Sequence, residues 1–208
     1  MSRKIQRVSV VLDCQGIEHL SEPEIALILR GADELIMRGG RSLLAKVLKG
    51  SQSKQLKELN LDQSPVFGGL CSLSLHEITA RIDWLIINKY LAIEYAYRLP
   101  LLVFTSRGWE IEKKSLTTEI INTLDDVIAS RNPAPDLTWL NDVHPEVIQC
   151  LLERIESSGN HKYVPLLDRW SRTASRKKRG SIRQLLERLE RVDYKRRLSD
   201  IGNTRNVR

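Results

Sequence analysis

Two Ser-x-x-Glu boxes constrain the fold of this chain more than anything else in it. Ser21 with Glu24, and Ser74 with Glu77, each stand at the head of an apolar helical stripe. In such a box the serine side chain accepts the third helical N–H and the glutamate reaches back, so each box marks a helix start. Behind the first, with Pro23 in the opening turn, Ile25, Ile28, Leu29, Leu35 and Ile36 predict one helix that runs until Gly39-Gly40. Behind the second, Ile78, Ile82, Leu85 and Ile86 form the buried stripe of another. Between them, residues 42–48 place Leu43, Leu44, Val47 and Leu48 on one face and stop at Gly50. Residues 52–59 read as a third helix with Lys54 and Lys57 on a shared face, and residues 62–73 as a loop rich in turn formers. Residues 91–95 and 101–105 are short apolar strands, and Pro100 places the second at a sheet edge. A further strand is expected at residues 8–12.

The order helix, helix, loop, helix, hairpin is a winged-helix layout. The expected fold is therefore mainly α with a small β wing, over residues 1–114. Residues 115–208 read as a helical C-terminal domain with a basic tail. Its helical patterns fall at 116–128, 145–155, 163–170 and 181–189, with a linker by composition at 131–136. The phrase Pro145-Glu146-Val147, then Gly159, then Val164-Pro165-Leu166-Leu167 resembles a helix pair of the HEAT-repeat kind. A plain helical extension is the alternative, since repeat arrays normally need about three units. Residues 199–208 have no apolar period and are expected to fray.

Charge narrows the function. The net charge of +7 favours an anionic partner, with nucleic acid first and an acidic membrane second. No run approaches the roughly 20 apolar residues of a membrane span. The short apolar run after Met1 is broken by Asp13 and does not read as a signal peptide. Cys14, Cys71 and Cys150 are odd in number and far apart, which suits a reducing interior: cytoplasm, the nucleoid of a bacterium or the nucleus of a eukaryote. His19, His76, His144 and His161 show no ligand spacing with them, so no metal and no cofactor is expected. Asp125 and Asp126 are adjacent and point to different helix faces. No catalytic constellation stands out, and the chain does not read as an enzyme.

Along residues 40–109 the phrases resemble the RecQ C-terminal (RQC) domain, the duplex-binding winged helix of RecQ-family helicases. They are Lys49-Gly50-Ser51-Gln52-Ser53 at a helix end, Phe67-Gly68 after it, a leucine-rich helix before Lys89-Tyr90-Leu91, and Phe104-Thr105-Ser106-Arg107-Gly108 closing the wing. The resemblance covers about one third of the chain. The helicase motor's Gly-x-x-x-x-Gly-Lys-(Ser/Thr) loop is missing, as is the four-cysteine zinc module that precedes this domain in many RecQ helicases. A stand-alone relative of the domain is therefore expected.

The resemblance implies DNA as the partner. Lys49, Ser51 and Gln55 would contact phosphate, with Lys54 or Lys57 substituting for the base that the family often has at the Gln55 position. The 49–53 turn independently has the chemistry for this: a glycine turn opening into a helix, with the hydroxyls of Ser51 and Ser53 and flanking lysines. The wing tip offers Tyr97, Leu99 and Arg98, and an exposed tip of this kind can stack on an end base pair in the helicases. Arg81 on the recognition helix and Arg107 past the wing are further candidate phosphate contacts. Arg176, Lys177, Lys178, Arg179 and Arg183 form a possible second basic patch, with Lys195-Arg196-Arg197 beyond it.

The expected function is binding of duplex, forked or junction DNA through its backbone, as accessory to a separate helicase or nuclease in repair, replication or defence. A sequence-specific winged-helix transcription regulator and a protein-interaction scaffold are the alternatives.

Overall fold

Both Ser-x-x-Glu boxes close as helix caps in the computed structural model, which describes residues 7–131 and 134–204, with side chains as far as Arg191. Ser21 Oγ accepts the Glu24 N–H at 3.4 Å, and the Glu24 carboxylate accepts the Ser21 N–H at 3.3 Å. Ser74 and Glu77 repeat the exchange at 3.2 and 2.8 Å. The boxes start α1 (Glu22–Asp33) and α4 (Leu75–Ile87). Between them lie α2 (Arg41–Lys49), α3 (Lys54–Glu58) and one 3-10 turn, Leu61–Gln63. The wing is β1 (Leu91–Ala96) and β2 (Leu99–Phe104), antiparallel, with Leu91 opposite Phe104 and Ala96 opposite Leu99. The architecture is a winged helix, mainly α with a small β wing, as its sequence predicts.

By contact, the chain divides into two compact units, Met1–Ser115 and Leu116–Arg208. The first has a single apolar core, drawn from every helix and both strands. Ile28, Leu29, Leu44, Leu48, Leu56, Ile78, Ile82, Leu85, Leu91 and Leu102 are fully buried in it. Each such side chain contributes about 1.5–3 kcal/mol relative to exposure. Five-residue α3 is too short to be stable alone; Leu56 anchors it, at 0% exposure.

As far as residue 129, three elements differ from expectation. The helix behind Ser21 stops at Asp33, not Gly39. The chain tightens, with the Leu35 N–H on Ala32 O, and Met37 takes a positive φ of 59°. This frees Met37 N–H to donate to Leu102 O and Gly39 O to accept from Leu102 N–H, so 37–39 lies along the outer edge of β2. Residues 8–12 form no strand. They run as an extended arm, with Val8 N–H on Arg98 O and Tyr95 Oη donating to Val8 O. Finally, the pattern at 116–128 belongs to one long helix, α5 (Ser106–Ala129), that begins directly after β2.

A buried ion pair holds the arm. Asp83 on α4 is 2% exposed and meets the Arg41 guanidinium. The second Asp83 oxygen accepts the Asp13 N–H at 2.9 Å, while Arg41 also donates to Val11 O. Both charges are satisfied, which a buried pair requires.

The second unit is helical. α6 (Pro145–Ser158) is capped by His144 and ends on Gly159 at a φ of 57°. α7 (Val164–Thr173) and α8 (Arg176–Thr204) follow. Leu124, Leu140, Leu151, Ile155, Leu167, Trp170, Ile182 and Leu185 form its core. α8 is far longer than the expected 181–189 and runs through part of the segment expected to fray; its apolar positions Ile182, Leu185 and Leu189 are buried. Asn132 and Pro133 of the linker, and the side chains of Lys195, Arg196 and Arg197, lie outside the described residues, as do residues 205–208. No described helix is long and apolar enough to cross a membrane.

The capping boxes make acid sensitivity predictable. Hydrogen bonds from the Ser74 N–H and hydroxyl hold the Glu77 carboxyl below its ordinary 4.5. Burial alone would push Glu24 up, but its bonds from Ser21 and the nearby Arg81 outweigh this and leave it lowered. Depressed folded values mean that the unfolded chain protonates first. The stabilisation is therefore full above 4.5 and lost as pH falls through the folded values. Ser21→Ala with Ser74→Ala should flatten the fall in urea-unfolding stability from roughly pH 5 to 3. An unchanged acid limb would mean that other carboxylates govern it.

Candidate nucleic-acid interface

The 49–53 turn is built by the end of α2. Gly50 sits at a φ of 75°, its N–H donates to Val47 O, and the Ser51 N–H reaches Lys46 O at 2.9 Å. This is a Schellman stop, which glycine adopts without a Cβ penalty. The last carbonyls of α2 are also claimed by the following loop: Gly68 N–H donates to Val47 O and Leu70 N–H to Leu48 O. The approach brings Gly68 Cα within 3.0 Å of where a Gly50 Cβ would stand. Phe67-Gly68 is thus the half of a backbone joint that receives Lys49-Gly50.

Lys49 serves that joint. Its ammonium donates to Cys71 O at 2.6 Å and Leu73 O at 2.8 Å, clipping the loop just before the Ser74 cap. Ser51 is half-buried. Ser53 occupies the cap position of α3 without making the cap bond, and its Oγ is buried without a hydrogen-bond partner. Lys54, Gln55 and Lys57 project from α3 into solvent. Lys54 is 90% exposed and pairs with Glu58 at 3.4 Å, a contact worth at most a few tenths of a kcal/mol.

At the wing, the two-residue turn is Tyr97-Arg98, with Tyr97 at a φ of 58°. A left-handed backbone suits the twist of a tight hairpin but is uncommon for an aromatic residue. Tyr97 is 73% exposed, and Leu99 beside it 62%. Arg98 is also exposed.

Other sequence candidates are engaged within the fold. Arg81 donates to the Glu24 carboxylate at 3.3 Å and to Glu77 O at 3.1 Å, joining α4 to the cap of α1. Arg107 lies over the Tyr90 ring, 3.9 Å from its centroid, and donates to Tyr90 Oη and Asn88 O. In the second unit Lys178 donates to three carbonyls, those of Leu140, Asn141 and Val143, at 3.1, 2.6 and 3.0 Å. Arg179 donates to Ala174 O. Of that patch Arg176, Lys177 and Arg183 are exposed.

The phrase Thr105-Ser106-Arg107-Gly108 has a steric cause. Thr105 Oγ1 donates toward Lys89 O and Tyr90 O, and accepts the Gly108 N–H. A Cβ on Gly108 would stand 2.0 Å from Tyr90 O. Only glycine lets α5 start against the step that follows α4.

Along α4 no residue from Ile78 to Ile86 is exposed. Thr79 Oγ1 donates to Leu75 O and Asn88 Nδ2 to Trp84 O. The helix in the recognition position is thus embedded in its own fold through its middle, with Leu75, His76, Glu77 and Ile87 exposed at its ends.

Residues 24–123 match the family model of the RQC domain. The chain carries an RQC domain. RQC domains are winged helices associated with DNA binding, and the match runs from α1 through the wing into α5. No curated protein and no solved structure matches the chain. Within this RQC domain, sequence reasoning missed two basic residues, Arg38 and Lys46. They flank a groove between α2 and β2. Lys46 stands three residues before Lys49 on the same helix, a spacing that would have linked them.

Gly108→Ala provides a sharp test of the α4–α5 junction. Intrinsic propensity alone favours alanine in a helix by about 1 kcal/mol. The clash with Tyr90 O should instead destabilise by about 3 kcal/mol or more in urea unfolding. Gly159→Ala, with a positive φ but open space around it, should cost about 1 kcal/mol. Equal effects would remove the steric account.

Proposed function

We propose that this chain binds duplex or junction DNA mainly through the phosphate backbone, as an accessory to a separate helicase or nuclease. Repair, replication and defence are the settings in which such an accessory acts. The observation that carries this reading is the division of labour around α4. The recognition-position helix has no exposed residue through its middle, while Lys54, Gln55, Lys57, Tyr97 and Arg98 all face solvent. Base-edge reading needs side chains free to enter a groove; backbone gripping needs exposed cations and hydroxyls. The same observation weighs against a sequence-specific transcription regulator. On this reading α3 and the wing are the two contact points, and the exposed Tyr97 at the tip caps an end base pair.

Lys54→Ala with Lys57→Ala should weaken binding about equally across unrelated duplex sequences and lower the salt slope by about two. Lys49→Ala should behave differently, lowering thermal stability by about 1–3 kcal/mol because charge-assisted bonds to carbonyls are lost. An unchanged salt slope in the double variant would show that α3 does not face DNA. Absence of binding to duplex, forked, single-stranded and four-way-junction DNA would favour a protein-interaction scaffold.

A further inference from the structure

We infer that the groove between α2 and the wing receives an unpaired nucleotide from a DNA strand leaving the duplex end. This rests on the DNA-binding reading above and adds a site to it. The groove encloses about 400 Å³ within the first unit, a size in the range of small-ligand sites. Its two walls differ in chemistry. One carries Arg38, Lys46 and Gln55; the other carries Ile93, Leu99 and Pro100, and the arm at residues 8–10 also lines the groove.

Neither Arg38 nor Lys46 has a carboxylate within ion-pair distance among the described residues. Arg41, on the same wall, is committed to Asp83. Two uncompensated cations facing an apolar surface suit a ligand with an anionic edge and a flat apolar face. A nucleotide has both: phosphate for the cations and a base for the apolar wall. A duplex does not present them together, because its bases are stacked inside.

Position supports the same occupant. Gln55 of α3 and Leu99 of the wing tip both line the groove, so it adjoins the two surfaces assigned to the duplex. A base displaced at the tip by Tyr97 would find this groove next to it. The rest of the wall is fixed: Gly40 packs so closely that its Cβ would meet Pro100 O at 2.8 Å, and Leu102 N–H bonds to Gly39 O. The cleft therefore exists before any ligand arrives.

The test uses the full chain with two DNAs: a blunt duplex, and the same duplex extended by a short single-stranded overhang. Arg38→Gln with Lys46→Gln keeps the aliphatic stems and removes both charges. It should weaken binding to the overhang substrate at least tenfold and lower its salt slope by about 1.4, from two single-strand phosphate contacts. Blunt-duplex binding should stay within twofold, and the melting temperature should not change. Arg38→Lys with Lys46→Arg should retain overhang binding, which separates charge from folding. Equal loss on both DNAs, or no loss on either, would overturn the groove while leaving backbone binding through α3 intact. Failure of the unaltered chain to bind either DNA would overturn the DNA reading itself and the groove with it.

Discussion

The end of α2 is the joint on which the domain turns. Helix carbonyls at a C-terminus need donors, and here the donors come from a distant loop. Gly68 and Leu70 supply N–H groups to Val47 and Leu48, and the Gly50 and Gly68 backbones approach within contact distance. The Lys49 ammonium closes the same loop from the other side. One joint thereby fixes where α3 leaves, and delivers Ser74 to the place where α4 begins. A side chain on Gly50 would press on the Gly68 backbone, and both glycines hold a positive φ that favours glycine, so a phrase of small residues does the work of a core contact.

The fate of each cation follows from that economy of space. Lys49, Arg81, Arg107 and Lys178 lie within hydrogen-bond reach of carbonyls or carboxylates, and their charges are spent on the fold. Lys54, Lys57 and Arg98 stand on α3 and the wing tip, where Lys54 meets only the solvent-exposed carboxylate of Glu58, a weak contact. A positive charge left there is available to phosphate. Sequence position alone does not separate the two groups, because both occur in the same basic phrases.

Local chemistry made much of the architecture legible in advance. Ser21-Glu24 and Ser74-Glu77 announced their helices because caps are written in four consecutive residues. The apolar stripes of α2 and α4 and the hairpin of β1 and β2 are equally local. What escaped depends on remote partners. α1 stops at Asp33 because β2 offers Leu102 to the segment after it, and residues 8–12 are held by Arg41 and the wing instead of pairing in a sheet. The groove at Arg38 and Lys46 was hidden for the same reason: its apolar wall comes from strands some fifty residues later in the chain. α8 was underestimated because its basic opening, Arg176 to Arg179, carries few apolar residues to mark a helix.

Amide chemical-shift mapping of the labelled chain against an end-bearing duplex tests the central claim most directly. If DNA is gripped through α3 and the wing, the amides of residues 51–57 and 96–99 should shift together, while residues 78–86 stay nearly still. Shifts concentrated on residues 78–86, with residues 51–57 and 96–99 unmoved, would contradict it.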